Sequence, residues 1–118
     1  MADAPREWAQ PQWIDYKKHI PPTTVQWPAI VASTRNANAL YHPAEVQNLQ
    51  QLEMACLIDR VAFRELRNKR MYFIDAGRVI GASEGVETPF LYVEWLSSGE
   101  VHGRPITEGE LRQKGAQL

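Results

Sequence analysis

Hydrophobic and polar positions along this chain follow one rhythm up to about residue 68 and another after it. Leu52, Met54, Ala55, Ile58, Ala62, Phe63 and Leu66 project onto one sector when wound at about 100° per residue. Gln50, Glu53, Arg60, Arg64 and Arg67 project onto the opposite one. The pattern predicts one long helix over residues 43–68. Pro43 suits a first helical position, where an N–H is not needed, and Glu45 places a carboxylate at the positive end of the helix dipole. Tyr41 and Val46 are spaced for a hydrophobic staple, and Arg64, Arg67, Lys69 and Arg70 gather at the far end, a solvated cationic terminus. Val46, Leu49, Cys56 and Leu57 border the polar sector, so the apolar surface is wider than one packed face requires. That surplus predicts a second cover, either a partner at an oligomer seam or the N-terminal arm. Asp59 falls inside the apolar sector, where a carboxylate needs a partner or the edge of a cleft.

After the helix the period becomes two. Residues 71–74 and 79–83 read as a hairpin around the turn 75–78, and residues 84–88 as a polar link. Residues 89–96 are the strongest strand, returning over 100–106 after Ser98-Gly99. Thr107 and Glu110 form a T-x-x-E capping box that opens a short final helix. Before the long helix, Val25, Trp27 and Ala29 alternate with Gln26, predicting a strand over 23–34 that Pro28 confines to an edge or bulge. Residues 1–22 form an arm punctuated by Pro5, Pro11, Pro21 and Pro22, yet rich in anchors such as Trp8, Trp13 and Tyr16. The expected fold is α+β: one central helix on a mostly antiparallel sheet of four to five strands, with a single domain over 23–118 preceded by the arm.

Composition narrows the function classes. A net charge of -1 over 118 residues creates no global field for nucleic acid or an anionic membrane. No apolar run is long enough to span a bilayer, and the N-terminus lacks a signal-peptide pattern, so a cytoplasmic location is expected. The single cysteine, Cys56, has no internal disulfide partner and reads as a packed thiol. His19, His42 and His102 lack ligand spacing, so neither metal nor cofactor is expected. Gly77, Gly81 and Gly85 precede no helix and read as turn and bulge glycines, not a phosphate loop.

The last hairpin carries the candidate chemistry. A two-residue turn at Ser98-Gly99 would set Trp95 opposite His102 and Val93 opposite Arg104, with Glu94 on the other face beside Tyr92. A His–Arg pair can hold an anion or phosphate, and His102, Arg104 and Glu94 are the candidate set for a small hydrolase or nucleic-acid-processing enzyme. The leading expectation is instead a protein-binding, regulatory module, plausibly a homo-oligomer such as a dimer. It would act through Trp8, Trp13, Tyr16, Leu49, Leu57, Asp59 and Trp95. A third possibility is a small-ligand pocket between sheet and helix, near Asp59 and Trp95.

Overall fold

The computed structural model of the chain describes residues 8–58 and 62–116. Its first helix forms where alternation predicts a strand. Trp27, Ile30, Val31 and Thr34 also satisfy helical spacing, and α1 (Trp27–Ser33) turns these four inward while Pro28, Ala29, Ala32 and Ser33 stay exposed. Pro28 favours this outcome because the first helical turn needs no N–H from it.

The long helix is replaced by two elements of different kind. His42 caps a 3₁₀ segment, Pro43–Asn48, its Nδ1 accepting from the Ala44 N–H at 3.0 Å. A two-turn helix, α2 (Leu49–Cys56), follows and ends at Leu57. Ala62–Glu65 then form strand β3, paired antiparallel with β4 (Lys69–Asp75) in the register Phe63↔Tyr72 and Arg64↔Met71. The stretch 62–65 alternates as well as it winds. As a strand it satisfies the backbone edge of β4 and sets Phe63 edge-on against Tyr72 at 5.2 Å. Asp59, Arg60 and the other predicted features of 59–61 lie outside the described residues.

Two sheets result. The larger has the order β1-β8-β7-β4-β3 and joins β1 (Gln12–Trp13), β3, β4, β7 (Phe90–Leu96) and β8 (Glu100–Pro105). Among the described residues its one parallel pairing is β1 with β8. The smaller is β2 (Leu40–Tyr41), β5 (Gly81–Ser83) and β6 (Val86–Thr88), in the order β2-β5-β6. The expected hairpin over 71–83 is therefore absent: β4 pairs with β7, and β5 leaves to pair with β2 and β6. Gly81 permits that departure, because a Cβ there would lie 2.6 Å from the Leu40 carbonyl oxygen. The polar link over 84–88 is mostly strand, its two-residue turn made by Glu84 and Gly85 with φ of 53° and 82°.

The larger sheet is covered on both faces. Leu49 and Cys56 of α2 pack with Tyr72, Leu91, Val93 and Val101 on one. Leu111 of α3 (Glu108–Gln113) and Ala116 pack with Met71, Phe73, Tyr92 and Ile106 on the other. The described part of the arm, from residue 8, folds onto its own sheet: Gln12 N–H donates to Gly99 O and Ile14 N–H to Val101 O, both at 2.8 Å. No helix among the described residues is long and apolar enough to cross a membrane.

Candidate functional site

The turn between β7 and β8 contains three residues, Ser97, Ser98 and Gly99, not two. The extra residue shifts the pairing by one position and exchanges the faces of β8 relative to β7. Glu94 lies opposite His102, Tyr92 opposite Arg104, and Trp95 opposite Val101. The expected pairing of Trp95 with His102 is corrected, and the three candidate residues Glu94, His102 and Arg104 share one face with Tyr92.

Neighbouring elements complete this face. Tyr16, in the arm, stacks on His102 at 4.3 Å, and a 3₁₀ turn (Lys17–His19) follows it. His19 is buried, with Nδ1 2.7 Å from the Ala39 carbonyl oxygen. The α3 capping box closes in both directions, Thr107 N–H to Glu110 Oε1 and Glu110 N–H to Thr107 Oγ1, each at 3.1 Å. Glu110 also accepts from Ser83 Oγ at 2.8 Å and from Arg104 Nη1 at 3.2 Å, so the box aims the guanidinium. At the other end of α3, Arg64 Nη1 donates to the Lys114 carbonyl at 2.8 Å, and the Lys114 ammonium lies 4.7 Å from the centre of the Tyr92 ring.

These groups enclose a cavity of about 190 Å³ whose polar lining is Lys18, His19, Tyr92, Glu94, His102, Arg104 and Lys114. A second hollow of about 540 Å³ shares Lys18, His19 and Arg104 and continues past Arg35, Asn36 and Asn38. Another, of about 530 Å³ beside α3, gathers no histidine or lysine, and its Arg112 is paired with Glu108.

Glu94 is held by three groups. Its Oε1 accepts from Tyr92 Oη at 2.5 Å and from Lys69 Nζ at 3.0 Å, while Oε2 lies 3.6 Å from His102 Nε2. Burial by itself would raise this carboxyl, but the Tyr92 and Lys69 hydrogen bonds outweigh it and hold Glu94 below its ordinary value. Burial pushes His102 below 6.5 against the pull of Glu94, and pushes His19 down against its bond to Ala39. Lys114 is lowered by burial and then by the neighbouring charges of Arg104 and Lys69. Tyr92 is raised by burial and by its bond to Glu94. The cleft therefore holds neutral imidazoles beside a firmly ionised carboxylate and crowded cations.

The other predicted residues lie elsewhere. Trp8 meets Trp95 edge-on at 5.6 Å, with the Arg70 guanidinium over both rings. Trp13 Nε1 donates to Glu53 Oε1 at 2.8 Å. Leu49 is buried in the core and Leu57 packs at its margin. Arg78 binds Glu45, not Glu94, through two bonds of 2.7 and 3.2 Å. Sequence reasoning passed over Lys18, His19, Lys69 and Lys114 as site residues. The adjacent Lys18-His19 was a usable signal, but nothing local marks Lys114. No protein family, curated protein or solved structure matches this chain, so the site is read from its own geometry.

Proposed function

We propose that the protein binds a small phosphate-bearing ligand in the cleft between the arm and the Glu94–His102 face. The observation that carries this reading is the convergence of Lys18, Arg104 and Lys114 on one cavity where the one carboxylate among the described residues, Glu94, is already bonded to Tyr92 and Lys69. Among the described residues, neither Lys18 nor Lys114 has a carboxylate at ion-pair distance. Like charges gathered around a hollow repel one another, and an anion converts that repulsion into attraction. The protein-binding reading rested on a broad apolar helix that this fold does not contain, and on an arm that here covers its own sheet.

Titration calorimetry with inorganic phosphate, pyrophosphate and a nucleoside monophosphate tests the proposal. Binding should weaken with added salt, and Lys18→Ala or Lys114→Ala should each cost roughly 10-fold or more, the value of one charge-assisted hydrogen bond. Affinity unchanged in the Lys18→Ala, Lys114→Ala double variant would remove the cleft from consideration.

A further inference from the structure

Building on the anion-binding reading, we infer that this cleft cleaves single-stranded RNA without a metal ion, with His102 as general base for the ribose 2′-hydroxyl and Glu94 positioning it. The donor set points away from metal-assisted hydrolysis. The ammonium and guanidinium groups around its carboxylate repel a divalent cation, and the described residues contain no cluster of three His, Cys, Asp or Glu able to hold one. An imidazole acting alone is a weak activator of water against a phosphodiester. It suffices when the nucleophile is already tethered beside the phosphorus, as the 2′-hydroxyl of RNA is. DNA lacks that group.

The residues supply each part of the step. A proton passes from O2′ to Nδ1 of His102, for which the described residues provide no hydrogen-bond partner. The O2′–P bond forms, the P–O5′ bond breaks, and the departing 5′-oxygen takes a proton from the Lys114 ammonium. The products are a 2′,3′-cyclic phosphate and a free 5′-hydroxyl; exchange with solvent returns the proton from His102 and reprotonates Lys114. Glu94 Oε2, 3.6 Å from His102 Nε2, stands beside the imidazolium as it forms, a separation that catalytic pairs shorten once substrate binds. Arg104 faces the charge that builds on the phosphoryl oxygens. Tyr16, 37% exposed and 4.3 Å from the His102 ring, is an aromatic on which a base can stack, and the adjoining hollow, lined by Arg35 as well as Glu84 and Glu110, has room for the next nucleotide. The chain-wide charge of -1 conceals this local concentration of cations.

Charged groups around both proton-transfer residues set the pH response. Glu94, Glu100, Lys18 and Lys69 act on His102, and Arg104, Lys69, Glu94 and Glu110 act on Lys114. Both residues are lowered, so the rate should rise through an acid limb below pH 6.5 and fall in an alkaline limb below 10.5. Glu94 raises His102, so Glu94→Gln should move the acid limb to lower pH as well as slow the reaction.

The experiment uses the full chain in EDTA with a mixed-sequence RNA oligonucleotide and its fully 2′-O-methylated counterpart, followed by gel, mass spectrometry and fluorescence anisotropy. We expect RNA to be cut to 2′,3′-cyclic phosphate ends and the methylated strand to be bound but intact. His102→Ala and the bulkier His102→Gln should each slow cleavage roughly 100-fold or more while binding and thermal midpoint persist. A bound methylated strand with uncut RNA would overturn the cleavage inference and leave the anion reading standing. Cleavage that EDTA abolishes, or that both His102 variants retain, would overturn it too. Absence of binding to either oligonucleotide and to inorganic phosphate would overturn both.

Discussion

Two glutamates lie against opposite faces of the β7–β8 hairpin, and each accepts a tyrosine hydroxyl at 2.5 Å: Glu53 from Tyr41, Glu94 from Tyr92. Their titration nevertheless moves in opposite directions. Glu53 is 3% exposed and raised, because burial outweighs donors that are all neutral: the Tyr41 hydroxyl, the Trp13 indole and the Gly103 N–H. Glu94 is lowered because hydrogen bonds from Tyr92 and the Lys69 ammonium, together with the charge of Lys69, outweigh its burial. At Glu94 a neighbouring ammonium overcomes the cost of burial; at Glu53, deeper and bonded by neutral donors alone, burial wins. The face without cations became a structural latch for the arm. The face with them carries the candidate site.

The largest expected break comes at the latch. Glu53→Ala leaves Trp13, Tyr41 and Gly103 without their acceptor and should cost about 2–4 kcal/mol in chemical denaturation, with tryptophan fluorescence reporting release of the arm. A loss under about 1 kcal/mol would mean the arm is held by β1 pairing alone. Gly103 belongs to the same latch, since a Cβ there would lie 2.6 Å from the Tyr92 carbonyl oxygen and 3.3 Å from the Glu53 carboxyl carbon.

The next effect is a difference in sign with pH. Glu94 and Glu110 are held below 4.5 in the fold, so their contribution to stability is complete above 4.5 and is lost as pH falls through their folded values. Glu53 is held above 4.5, so its contribution is complete below 4.5 and is lost as pH rises through its folded value. Thermal midpoints measured from pH 6 to pH 3 should therefore fall less steeply in Glu94→Gln and more steeply in Glu53→Gln. Equal slopes in the two variants would abolish the contrast between the faces.

Smaller effects bound the comparison. Gly85→Ala, at φ 82°, should cost about 1 kcal/mol because an L-residue is strained there. Arg112→Ala breaks an exposed pair with Glu108 and should change stability by about 0.3–0.5 kcal/mol at most.

Much of the local structure was legible from neighbours in sequence. Thr107 and Glu110 cap a helix because their groups meet three residues apart whatever surrounds them. The strand 90–96 and its return were legible from their branched and aromatic run. Errors arose where one string of residues fits two periods. Trp27–Thr34 alternates and also winds; Ala62–Glu65 winds and also alternates. In each case the choice fell to a distant partner, the core around Ile30 or the free edge of β4.

The candidate site depended on the finest of these choices. By itself the sequence determined that His102, Arg104 and Glu94 belong to one hairpin, since residue type and turn signals are local properties. It could not determine which of them share a face, because side-chain direction reverses with each residue and one more residue in the turn exchanges the whole set. Only the tertiary structure decided that register, through Asn68, the arm at Ala9 and the Glu53–Gly103 contact, which hold the turn and β8 in place. It alone also brought Lys18 and Lys114, nearly a hundred residues apart, to the same cavity. Long-range electrostatic convergence leaves no periodic mark on a chain, so only folding reveals it.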